Sequence, residues 1–557
     1  MATVFDLKIN NFRGIKTFHQ SFYNKNFICL IGRGDSGKSS VLEAISYVLS
    51  SNWNLSFNDS DFYNCKTDSP IIIEATLTDL PEYFIHERFG LYLRGIRKDN
   101  DELIDDFELA ESKPAITIRL EIRDDLEPTW HIITARQEPF PISASARARL
   151  NTFLISDYSD RHFSWNKGNP LYSLYKLDEK ETELEKNIVI NALRQAKCEI
   201  DRNEFKDFEK VIKTIEAKAI QLGINIHGTS TSIDFKDLLI KDNKVCLHDD
   251  INIPFRLKGK GSKRLLSIAI QAALADKNGI MLIDEIEQGL EPDRVQHLVS
   301  SLKKNGNNQI FITTHSSNVI VELEANDLYI LRKGSPLLIN VNASLQGCIR
   351  SNPEALFARK LIICEGKTEF GICRAINNFL IEKRGINAAY KGIRFVYGGG
   401  TSFFDYSHGF KNLDFDIIVF CDSDVKSINN RKVELKSKGI NVIDCDLGFA
   451  IENQVFNDLP WQGIIELISY QELKATPESV KDQIEHYFGN DLYGDWKDND
   501  NEYIRKALGL SAKRGEWFKR IDHGEFMGTV ICNYLEEMQS KKLRELFEEL
   551  IKWIEND

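Results

Sequence analysis

Two acidic segments, far apart in the sequence, could together hold divalent metal ions. Glu365 follows the apolar run KLIIC, and Asp422 and Asp424 follow the apolar run DIIVFC. Both runs are typical of buried strands of an open α/β sheet, whose ligands lie at the carboxyl ends of the strands. Three carboxylates that converge there repel one another unless cations neutralise them, and hard oxygen ligands favour Mg²⁺ or Mn²⁺. The pattern therefore predicts a metal site.

The chemistry expected at such a site is hydrolysis of a phosphodiester, because two metal ions can activate water and stabilise the leaving oxygen. A cation beside the scissile phosphate would stabilise the developing charge. Lys513 and Lys519 are the candidates, since the segment SAKRGEWFKRID mixes cations with aromatic residues, and Lys519 is slightly preferred. The alternative is an amphipathic helix whose lysines are solvated.

A phosphate-binding loop is the strongest local pattern in the chain. The segment GRGDSGKS fits GxxxxGK[ST] and lies between the apolar run FICLI and the helical pattern SSVLEAISYVL. Its backbone N–H groups can wrap phosphates, Lys38 can neutralise β/γ charge, and Ser39 can bind the magnesium ion that accompanies ATP. The expected nucleotide contacts are Gly32, Gly34, Asp35, Gly37, Lys38, Ser39 and Ser40.

A second acidic pair completes the expected ATP site. Asp284 and Glu285 follow the apolar run IMLI, where Asp284 would lie in the magnesium shell and Glu285 would orient or deprotonate the attacking water. Glu287 is a competing candidate for that base.

Two α/β units must position these sites. FICLI, GIMLIDE and QIFITTH are expected in a mostly parallel nucleotide-binding sheet, and KLIICEG, IRFVYGGG and DIIVFCDSD in a second one. Strand-like runs at 71–77 and 115–122 predict an antiparallel sheet beside the first.

The charged stretch 155–231 is interpreted as a helical insertion for dimerisation or docking, too short for a long coiled coil. Helices are expected from about 463, and glycines 398–400 form either a plain turn or the start of a helix.

Composition restricts the class of protein. The 557 residues suggest two or three domains, and 42% hydrophobic with 28% charged residues is ordinary globular composition. The net charge of −12 excludes a uniformly basic nucleic-acid binder but permits a local groove. The ten cysteines are scattered, which predicts reduced thiols. The sequence indicates neither a signal peptide nor a membrane span. A cytoplasmic protein is therefore expected. The candidate DNA-facing cations are Arg94, Arg97, Lys98, Lys258, Lys260 and Lys263.

Residues 1–155 and 232–330 resemble the ABC ATPases of the SMC, RecF and OLD group. Four segments carry the resemblance: NFRG with Arg13, GKGSKRLL with Gly261 and Ser262, GLEP at 289–292, and FITTHSS with His315. They are similar to the opening segment, the signature motif, the D-loop and the switch histidine of that group. The resemblance implies that Arg13, Gly261, Ser262 and His315 contact nucleotide, and that two chains form a head-to-head dimer.

Two departures from that pattern concern ATP turnover. The signature-like segment is not LSGGE, and no clear glutamine follows the phosphate-loop helix, where Asp59 and Asp61 lie instead. Nucleotide binding with slow hydrolysis is therefore compatible with the sequence.

The segments EGKTE and DSD together resemble a TOPRIM domain, and an ATPase followed by TOPRIM resembles the OLD family of nucleases. The resemblance implies two metal ions, with Glu369 and Glu452 as further ligands and Asp446 as a weaker option. It also implies an ATP-regulated DNA endonuclease in bacterial anti-phage defence, similar to Gabija-type and retron-associated effectors. Such proteins form dimers or higher oligomers and can act with a helicase-like protein or a reverse transcriptase with its RNA.

The expected fold is thus an α/β ABC-type P-loop ATPase with a helical insertion, followed by a TOPRIM domain with a helical appendage. The expected boundaries are 1–154 and 232–345 for the ATPase, 155–231 for the insertion, 346–462 for the TOPRIM core and 463–557 for the helices. A RecF-like DNA clamp or loader with a noncatalytic TOPRIM domain is the alternative, although the intact acids favour a nuclease. A topoisomerase or primase is disfavoured, because none of the 17 tyrosines is singled out and zinc ligands are lacking.

Overall fold

The computed structural model describes residues 2–97, 102–105, 112–156, 162–163, 169–171, 173–174, 195, 198–199, 212–213, 247–250, 253–304, 308–492, 494 and 496–556. The chain divides into two compact units, one formed by Met1–Ser156 with Gly279–Asp557 and the other by Asp157–Asn278.

Strands and helices are numbered in chain order over the described residues. The strands are β1 (Thr3–Phe12), β2 (Ile15–Ser21), β3 (Phe27–Ile31), β4 (Ile71–Thr78), β5 (Arg94–Arg97), β6 (Leu103–Ile104), β7 (Ser112–Ile122), β8 (Pro128–Ile133), β9 (Phe140–Pro141), β10 (Phe153–Ile155), β11 (Ile280–Ile283), β12 (Gln309–Thr313), β13 (Leu328–Ile330), β14 (Ile339–Asn340), β15 (Lys360–Cys364), β16 (Ile393–Tyr397), β17 (Asp416–Cys421) and β18 (Asn441–Asp444). The α-helices are α1 (Lys38–Val48), α2 (Glu87–Gly90), α3 (Ala144–Arg147), α4 (Lys260–Asn278), α5 (Pro292–Lys304), α6 (Ser317–Ile320), α7 (Gln346–Ser351), α8 (Lys367–Arg384), α9 (Phe403–Asn412), α10 (Lys426–Ser437), α11 (Ile451–Asp458), α12 (Trp461–Lys474), α13 (Pro477–Phe488), α14 (Glu502–Arg514), α15 (Ile521–Asn533) and α16 (Lys542–Glu555). Short 3-10 helices include Pro353–Phe357 and Gly400–Ser402.

An antiparallel sheet packs beside the nucleotide-binding part of the first unit. Its order is β2-β1-β4-β7-β5-β6, with β8 and β9 extending from β7. The β4 and β7 strands pair antiparallel in the register Ile73↔Leu120, which confirms the sheet predicted from the two strand-like runs. Its apolar face shares one core with helix α1 and the neighbouring sheet, represented by Ile73, Val41 and Leu282.

The nucleotide-binding sheet has the order β10-β11-β12-β3-β13-β14. The strands from β10 to β13 pair in parallel, and only β14 within this described sheet is antiparallel to its neighbour. Strands β11 and β12 are buried along their whole length, as their apolar runs predicted. Because parallel strands end at one edge, the loops that follow β3, β11 and β12 meet there.

The TOPRIM-like sheet is parallel throughout its described strands, in the order β16-β15-β17-β18. Cys364 pairs with Phe420, so β15 and β17 are neighbours that end at the same level. The three strands expected from the sequence are present, whereas β18 was not predicted because its run NVID is short and ends in a polar residue.

The helices after residue 463 confirm the predicted helical remainder and cover this sheet. Helix α8 packs closely on α15 through glycines, since a Cβ on Gly371 would lie 2.4 Å from the Ile521 carbonyl oxygen. The last helix, α16, buries a regularly spaced apolar face that includes Leu543, Phe547 and Leu550.

The second unit is described only in part. The predicted helical insertion at 155–231 lies almost entirely outside the described residues, and the domain boundaries expected from the sequence stay predictions. Within this unit, Gly261 and Ser262 lie in the first turn of α4, and Phe163 packs against Phe255 with ring centroids 6.3 Å apart.

Cysteine and membrane expectations can be compared with the described part of the chain. Its nine cysteines are all free, and seven of them are buried, as expected for reduced thiols. Among the same residues, no helix combines the length and apolar character that crossing a membrane requires.

Candidate nucleotide and metal sites

The phosphate loop is held open by left-handed backbone at three positions. Gly32, Asp35 and Gly37 have φ angles of 154°, 58° and 99°. At Gly32 a side chain is also excluded by space, because a Cβ would lie 2.4 Å from the Leu331 carbonyl oxygen. Helix α1 begins directly after Gly37, so its free N–H groups and dipole face the loop. This geometry suits an anionic phosphate.

Lys38 lies inside the loop that it is expected to serve. Its side chain is 5% exposed, and its ammonium donates to the carbonyl oxygens of Gly32 and Arg33, both at 3.0 Å. Burial lowers the pKa of Lys38, and the charges of Asp284 and Glu285 counteract this effect. A bound phosphate would replace these carbonyl contacts with a full ionic partner.

The magnesium-binding side of the ATP site forms a connected set. Ser39 Oγ donates to Asp284 Oδ1 at 3.1 Å, and Thr313 Oγ1 donates to the same oxygen at 2.6 Å. The first turn of α1, the residue after β11 and the last residue of β12 therefore meet at the same point. Glu285 is exposed beside them, with a strained φ of 47° and its N–H bonded to Thr313 Oγ1. The roles of Ser39 and Asp284 in binding magnesium stay predictions, and the structure places these two side chains in contact.

Glu287 has a structural role that sequence alone does not reveal. Its carboxylate accepts hydrogen bonds from Thr314 Oγ1 at 2.8 Å and from the His315 N–H at 2.7 Å. These bonds tie the loop after β11 to the loop after β12, so Glu285 is the better candidate for the base. The exposed ring of His315 stacks on Phe357, with centroids 6.4 Å apart.

Arg13 lies beside α1, and its side chain is paired with acidic residues. Its guanidinium forms an ion pair with Glu43 and donates to Asp61 Oδ1 at 3.0 Å. The Arg13 N–H also donates to the Asp61 carbonyl oxygen at 2.7 Å. Asp61, one of the two acids in the region expected for a Q-loop, thus holds Arg13. The predicted nucleotide contact of Arg13 requires exchange of these partners.

The structure brings the two predicted acidic segments together. The Asp422 N–H donates to Glu365 Oε2 at 3.0 Å, so the end of β15 contacts the end of β17 directly. Asp422 Oδ1 in turn accepts from the Ile451 N–H at 2.7 Å, which places Glu452 beside the cluster. Glu369 lies in the first turn of α8 and accepts from the Gly366 N–H at 2.8 Å.

These carboxylates form the acid cluster, Glu365, Glu369, Asp422, Asp424 and Glu452, and they carry excess negative charge. Burial raises the pKa of Asp422 well above its usual range, and the other four carboxylates raise it further. Burial and the charge of Glu452 raise the pKa of Glu369 to about 7. Burial likewise raises the pKa values of Glu365 and Glu452. Nearby cations are needed to keep all of these groups ionised.

Glu452 is the strongest sign that the acid cluster fits metal ions. Its side chain is 0% exposed, and among the described residues neither carboxylate oxygen has a hydrogen-bond partner. Leaving a buried carboxylate without partners is costly, and a hard divalent cation would satisfy it. Within the described part of the chain, however, no three acidic, histidine or cysteine side chains are already arranged to hold one ion. Metal binding therefore requires side-chain movement.

Both candidate lysines lie next to the acid cluster. Lys513 Nζ is 2.6 Å from Asp424 Oδ2. Burial lowers the pKa of Lys519. The negative charges of the nearby acids have a larger, opposite effect and raise the pKa overall; these acids are Glu452, Glu369, Asp422 and Glu365. Lys513 lies in the last turn of α14, and Lys519 follows the fully buried Trp517 and Phe518. The solvated-helix alternative does not describe Lys513, whose ammonium is paired with an acid of the cluster.

Sequence reasoning missed a buried cation beneath the cluster. Lys432 on α10 is 3% exposed and contacts the Asp422 carbonyl oxygen, Ser423 Oγ at 3.0 Å and Asp444 Oδ2 at 3.3 Å. It fixes the DSD loop from below. The only signal in the sequence is its position three residues before the buried Leu435 on a helix.

Asp446, the weaker candidate ligand, belongs to a different network. Its carboxylate accepts from Gln454 Nε2 at 3.0 Å, and its N–H donates to Gln454 Oε1 at 2.9 Å. The structure therefore favours Glu452 over Asp446.

The predicted DNA-facing cations are mostly engaged. Arg94 pairs with Asp105 at 2.6 Å and donates to Thr117, which gives it a structural role. Lys258 pairs with Asp249, and Lys263 donates to the Arg256 carbonyl oxygen at 3.3 Å. Arg97 is exposed and lies 3.6 Å from the Glu102 carboxylate. Lys260 is exposed, and Lys98 lies outside the described residues.

Comparison with known proteins agrees with this geometry. Residues 27–322, more than half of the chain, match the family described as "AAA domain, putative AbiEii toxin, Type IV TA system". The chain belongs to this AAA-domain family. Residues 356–424 of the chain match a second description, the overcoming lysogenization defect protein-like TOPRIM domain. This match covers β15 to β17 and four members of the acid cluster. The ATPase-plus-TOPRIM architecture of the OLD family, inferred as a resemblance, is confirmed.

The chain is also similar, at low identity, to a curated protein and to solved structures. A protein of Helicobacter pylori named "ATP/GTP phosphatase" is 23% identical over 342 residues, which are 57% of this chain and 86% of the relative. The Smc head domain of Pyrococcus furiosus, solved with the C-terminal domain of ScpA, gives a TM-score of 0.34 at 14% identity, covering 61% of this chain and 97% of that one. The SMC head domain of Thermotoga maritima gives 0.28 at 13% identity, covering 61% and 99%.

Proposed function

We propose that this chain is a metal-dependent DNA endonuclease whose activity is regulated by its ATP-binding domain. The observation that carries the proposal is Glu452, whose two buried oxygens have no hydrogen-bond partner among the described residues. Burial raises the pKa values of Glu452 and of its neighbour Asp422 in the acid cluster. The two adjacent lysines give the site a means of holding a phosphate. A purely structural cluster would be expected to pair its buried acids internally.

The acid cluster would hold Mg²⁺ or Mn²⁺, and the resemblance to OLD nucleases implies two ions. Bound ions would lower the pKa of a water and stabilise the leaving oxygen. Lys519 remains protonated because the cluster raises its pKa, so it can bind the scissile phosphate. Lys513, now paired with Asp424, would release that acid to a metal ion and contact the DNA backbone.

The ATP site would act as the regulatory part. Asp284 and Ser39 would bind the magnesium ion of ATP, and Glu285 would orient the attacking water if hydrolysis occurs. The proposed nucleotide-dependent dimer would place Gly261 and Ser262 of one chain against the ATP of the other. Sedimentation of the Glu285→Gln variant with and without ATP tests this assembly, and a mass that stays unchanged at all nucleotide concentrations contradicts it.

Plasmid cleavage is the direct test of the nuclease. Supercoiled DNA with Mg²⁺ or Mn²⁺ should be nicked or linearised by the wild type, and Glu365→Gln should slow this by at least about 100-fold. Asp446→Asn is the matched control, because Asp446 is a nearby acid outside the cluster. Intact plasmid combined with tight DNA binding by the wild type would instead indicate the RecF-like clamp. Equal cutting by wild type and Glu365→Gln would exclude the proposed site.

A cytoplasmic role in bacterial anti-phage defence follows from the OLD architecture as part of the same proposal. Cells expressing the wild type should resist phage better than cells expressing Glu365→Gln. A helicase-like protein or a reverse transcriptase with its RNA is the proposed kind of partner. Purification of the tagged chain from infected cells tests for such a complex, and the chain recovered alone under all conditions would count against a partner.

A further inference from the structure

A cleft of about 340 Å³ lies between the phosphate loop and the TOPRIM part of the chain. One side is formed by residues 32–34 and His315, and the other by Glu354, Phe357 and Arg394. Residues of the nuclease half therefore line the space next to the nucleotide-binding loop within a single chain.

The cleft lies at the end of the loop expected to hold the γ-phosphate. Lys38, whose ammonium serves the β/γ-phosphates in such loops, donates to the carbonyl oxygens of Gly32 and Arg33. Both residues line the cleft. The terminal phosphate of a bound nucleoside triphosphate would consequently lie near the mouth of this space, whereas a diphosphate would leave the mouth empty.

Two contacts hold the walls in place. The ring of Phe357 stacks on His315 with an interplanar angle of 27°. The Arg33 guanidinium packs against Gly392, where a Cβ would lie 2.5 Å from Arg33 Nη1 and where the φ of 76° further favours glycine. Gly392 directly precedes β16, so a residue of the phosphate loop touches the start of a TOPRIM strand.

Arg394 is the cation that this arrangement offers to the nucleotide. Its side chain is 46% exposed, and its guanidinium is 3.3 Å from Glu354. Such an exposed ion pair is weak. A phosphate can readily replace the carboxylate, because it carries more charge and its oxygens can accept two parallel hydrogen bonds from the guanidinium. We propose that Arg394 exchanges Glu354 for the γ-phosphate of ATP, so that the TOPRIM domain itself distinguishes ATP from ADP. This inference rests on the proposed binding of ATP to the phosphate loop.

Strand β16 connects Arg394 to the acid cluster. Three residues after Arg394, Tyr397 is clamped by Asn352, whose side chain bonds both its N–H and its carbonyl at 3.0 Å. Asn352 directly precedes the 3-10 helix that carries Glu354. Beyond the strand, the Gly400 N–H donates to the Glu365 carbonyl oxygen at 3.1 Å. Arg394 and Tyr397 are about 10 Å apart along β16. Movement of Arg394 could therefore be transmitted along the strand to Gly400, which contacts the proposed metal ligand Glu365.

Nucleotide affinity provides the test, and it does not depend on DNA cleavage. Calorimetry on the full chain compares the ATP analogue AMP-PNP with ADP. Arg394→Ala should bind AMP-PNP about ten-fold more weakly while its ADP affinity stays within about two-fold, as expected for loss of one charge-assisted contact. Arg384→Ala is the matched control, because Arg384 is 45% exposed and also forms a single ion pair, with Glu555.

A variant with the opposite expected sign separates a phosphate contact from a structural effect. Glu354→Gln removes the competing carboxylate, so AMP-PNP affinity should rise a few-fold, and this gain should disappear when Arg394→Ala is added. Equal losses for AMP-PNP and ADP in Arg394→Ala, or no loss, would overturn the inference.

Lys38→Ala distinguishes failure of the inference from failure of the ATP site. If Lys38→Ala loses both nucleotides while Arg394→Ala binds normally, the ATP site stands and the role of Arg394 is refuted. If Lys38→Ala binds both nucleotides as the wild type does, the proposed ATP site is itself refuted.

Discussion

The buried acids dominate the chemistry of this chain at the scale of single residues. Glu452, Glu369 and Asp422 are each less than a tenth exposed, and each has its pKa raised by burial. Without metal ions this arrangement opposes folding, since each charge loses hydration and repels its neighbours. The cluster therefore has a stability cost that ion binding would remove.

Neutralising Glu452 should reverse this balance. In buffer with a chelator, Glu452→Gln should unfold at a higher temperature than the wild type. Its free energy of unfolding should be larger by on the order of 1 kcal/mol, because a buried charge that its neighbours repel is removed. With Mn²⁺ the wild type should gain more stability than the variant, because binding to the folded state stabilises it. Thermal unfolding measures both, with the exposed Glu382→Gln on α8 as the control. A variant that is less stable in chelator would show that Glu452 is not a strained acid.

The stability of the metal-free protein should also depend on pH. The folded-state pKa of Glu369 is raised to about 7, above its ordinary value of 4.5. A raised folded-state pKa means that the folded protein binds more protons, so its stabilising contribution is complete below about 4.5 and is lost as the pH rises through about 7. The unfolding temperature in chelator should therefore fall between pH 5 and 8, and Mn²⁺ should flatten that slope. If the unfolding temperature of Glu369→Gln in chelator depends on pH as steeply as that of the wild type, the pH dependence comes from other groups.

At the scale of elements, glycines set the distance between α8 and α15. A Cβ on Gly524 would lie 2.6 Å from the Thr368 carbonyl oxygen, and a Cβ on Gly528 would lie 2.7 Å from Ala375 Cβ. Thr368 Oγ1 also donates to the Phe518 carbonyl oxygen at 2.9 Å, directly before Lys519. The close helix packing thus positions Glu369 and Lys519 relative to each other.

Gly524→Ala should therefore damage the site as well as the fold. The added methyl group would push the helices apart, at a cost of about 1–3 kcal/mol, and would move Lys519 away from the acid cluster. Thermal unfolding and plasmid cutting should both decline. Thr529→Ala is the control, since Thr529 is exposed on the same helix. Wild-type stability in Gly524→Ala would contradict the proposed packing role.

Sequence patterns predicted the strands and strand ends because these depend on local composition. Short apolar runs such as IMLI and DIIVF favour buried strands, because helices are usually longer than four or five residues. Acids that follow such runs are expected at one edge of a parallel sheet. The contacts of Lys432, Glu287 and Arg394 could not be predicted, because each depends on elements that are distant in sequence. A lysine on a charged helix gives no indication that it lies beneath an aspartate loop.

At the scale of the whole molecule, the ATPase and TOPRIM parts are joined away from the cleft by Arg332. This residue lies just beyond β13, next to Leu331, whose carbonyl oxygen closes on Gly32 of the phosphate loop. Its guanidinium donates to the Leu413 carbonyl oxygen at 2.7 Å and lies 4.7 Å from the centre of the Phe415 ring. Phe415 directly precedes β17, the strand that Asp422 follows. The nucleotide sheet is thereby connected to the start of a strand that carries the acid cluster.

Arg332→Ala should weaken this connection without touching either site. Loss of a hydrogen bond and a ring contact should cost about 1–3 kcal/mol of stability, while nucleotide affinity stays near that of the wild type. Hydrogen exchange of residues 413–424 gives the sharper measurement. In the wild type, AMP-PNP should slow exchange there, and in Arg332→Ala this protection should be reduced although the loop around Lys38 is still protected. Lys333→Ala, an exposed neighbour, should behave as the wild type does. Full protection of 413–424 in Arg332→Ala would mean that β16, rather than β17, carries any coupling between the two parts, because those are the strands that the observed contacts link to the phosphate loop.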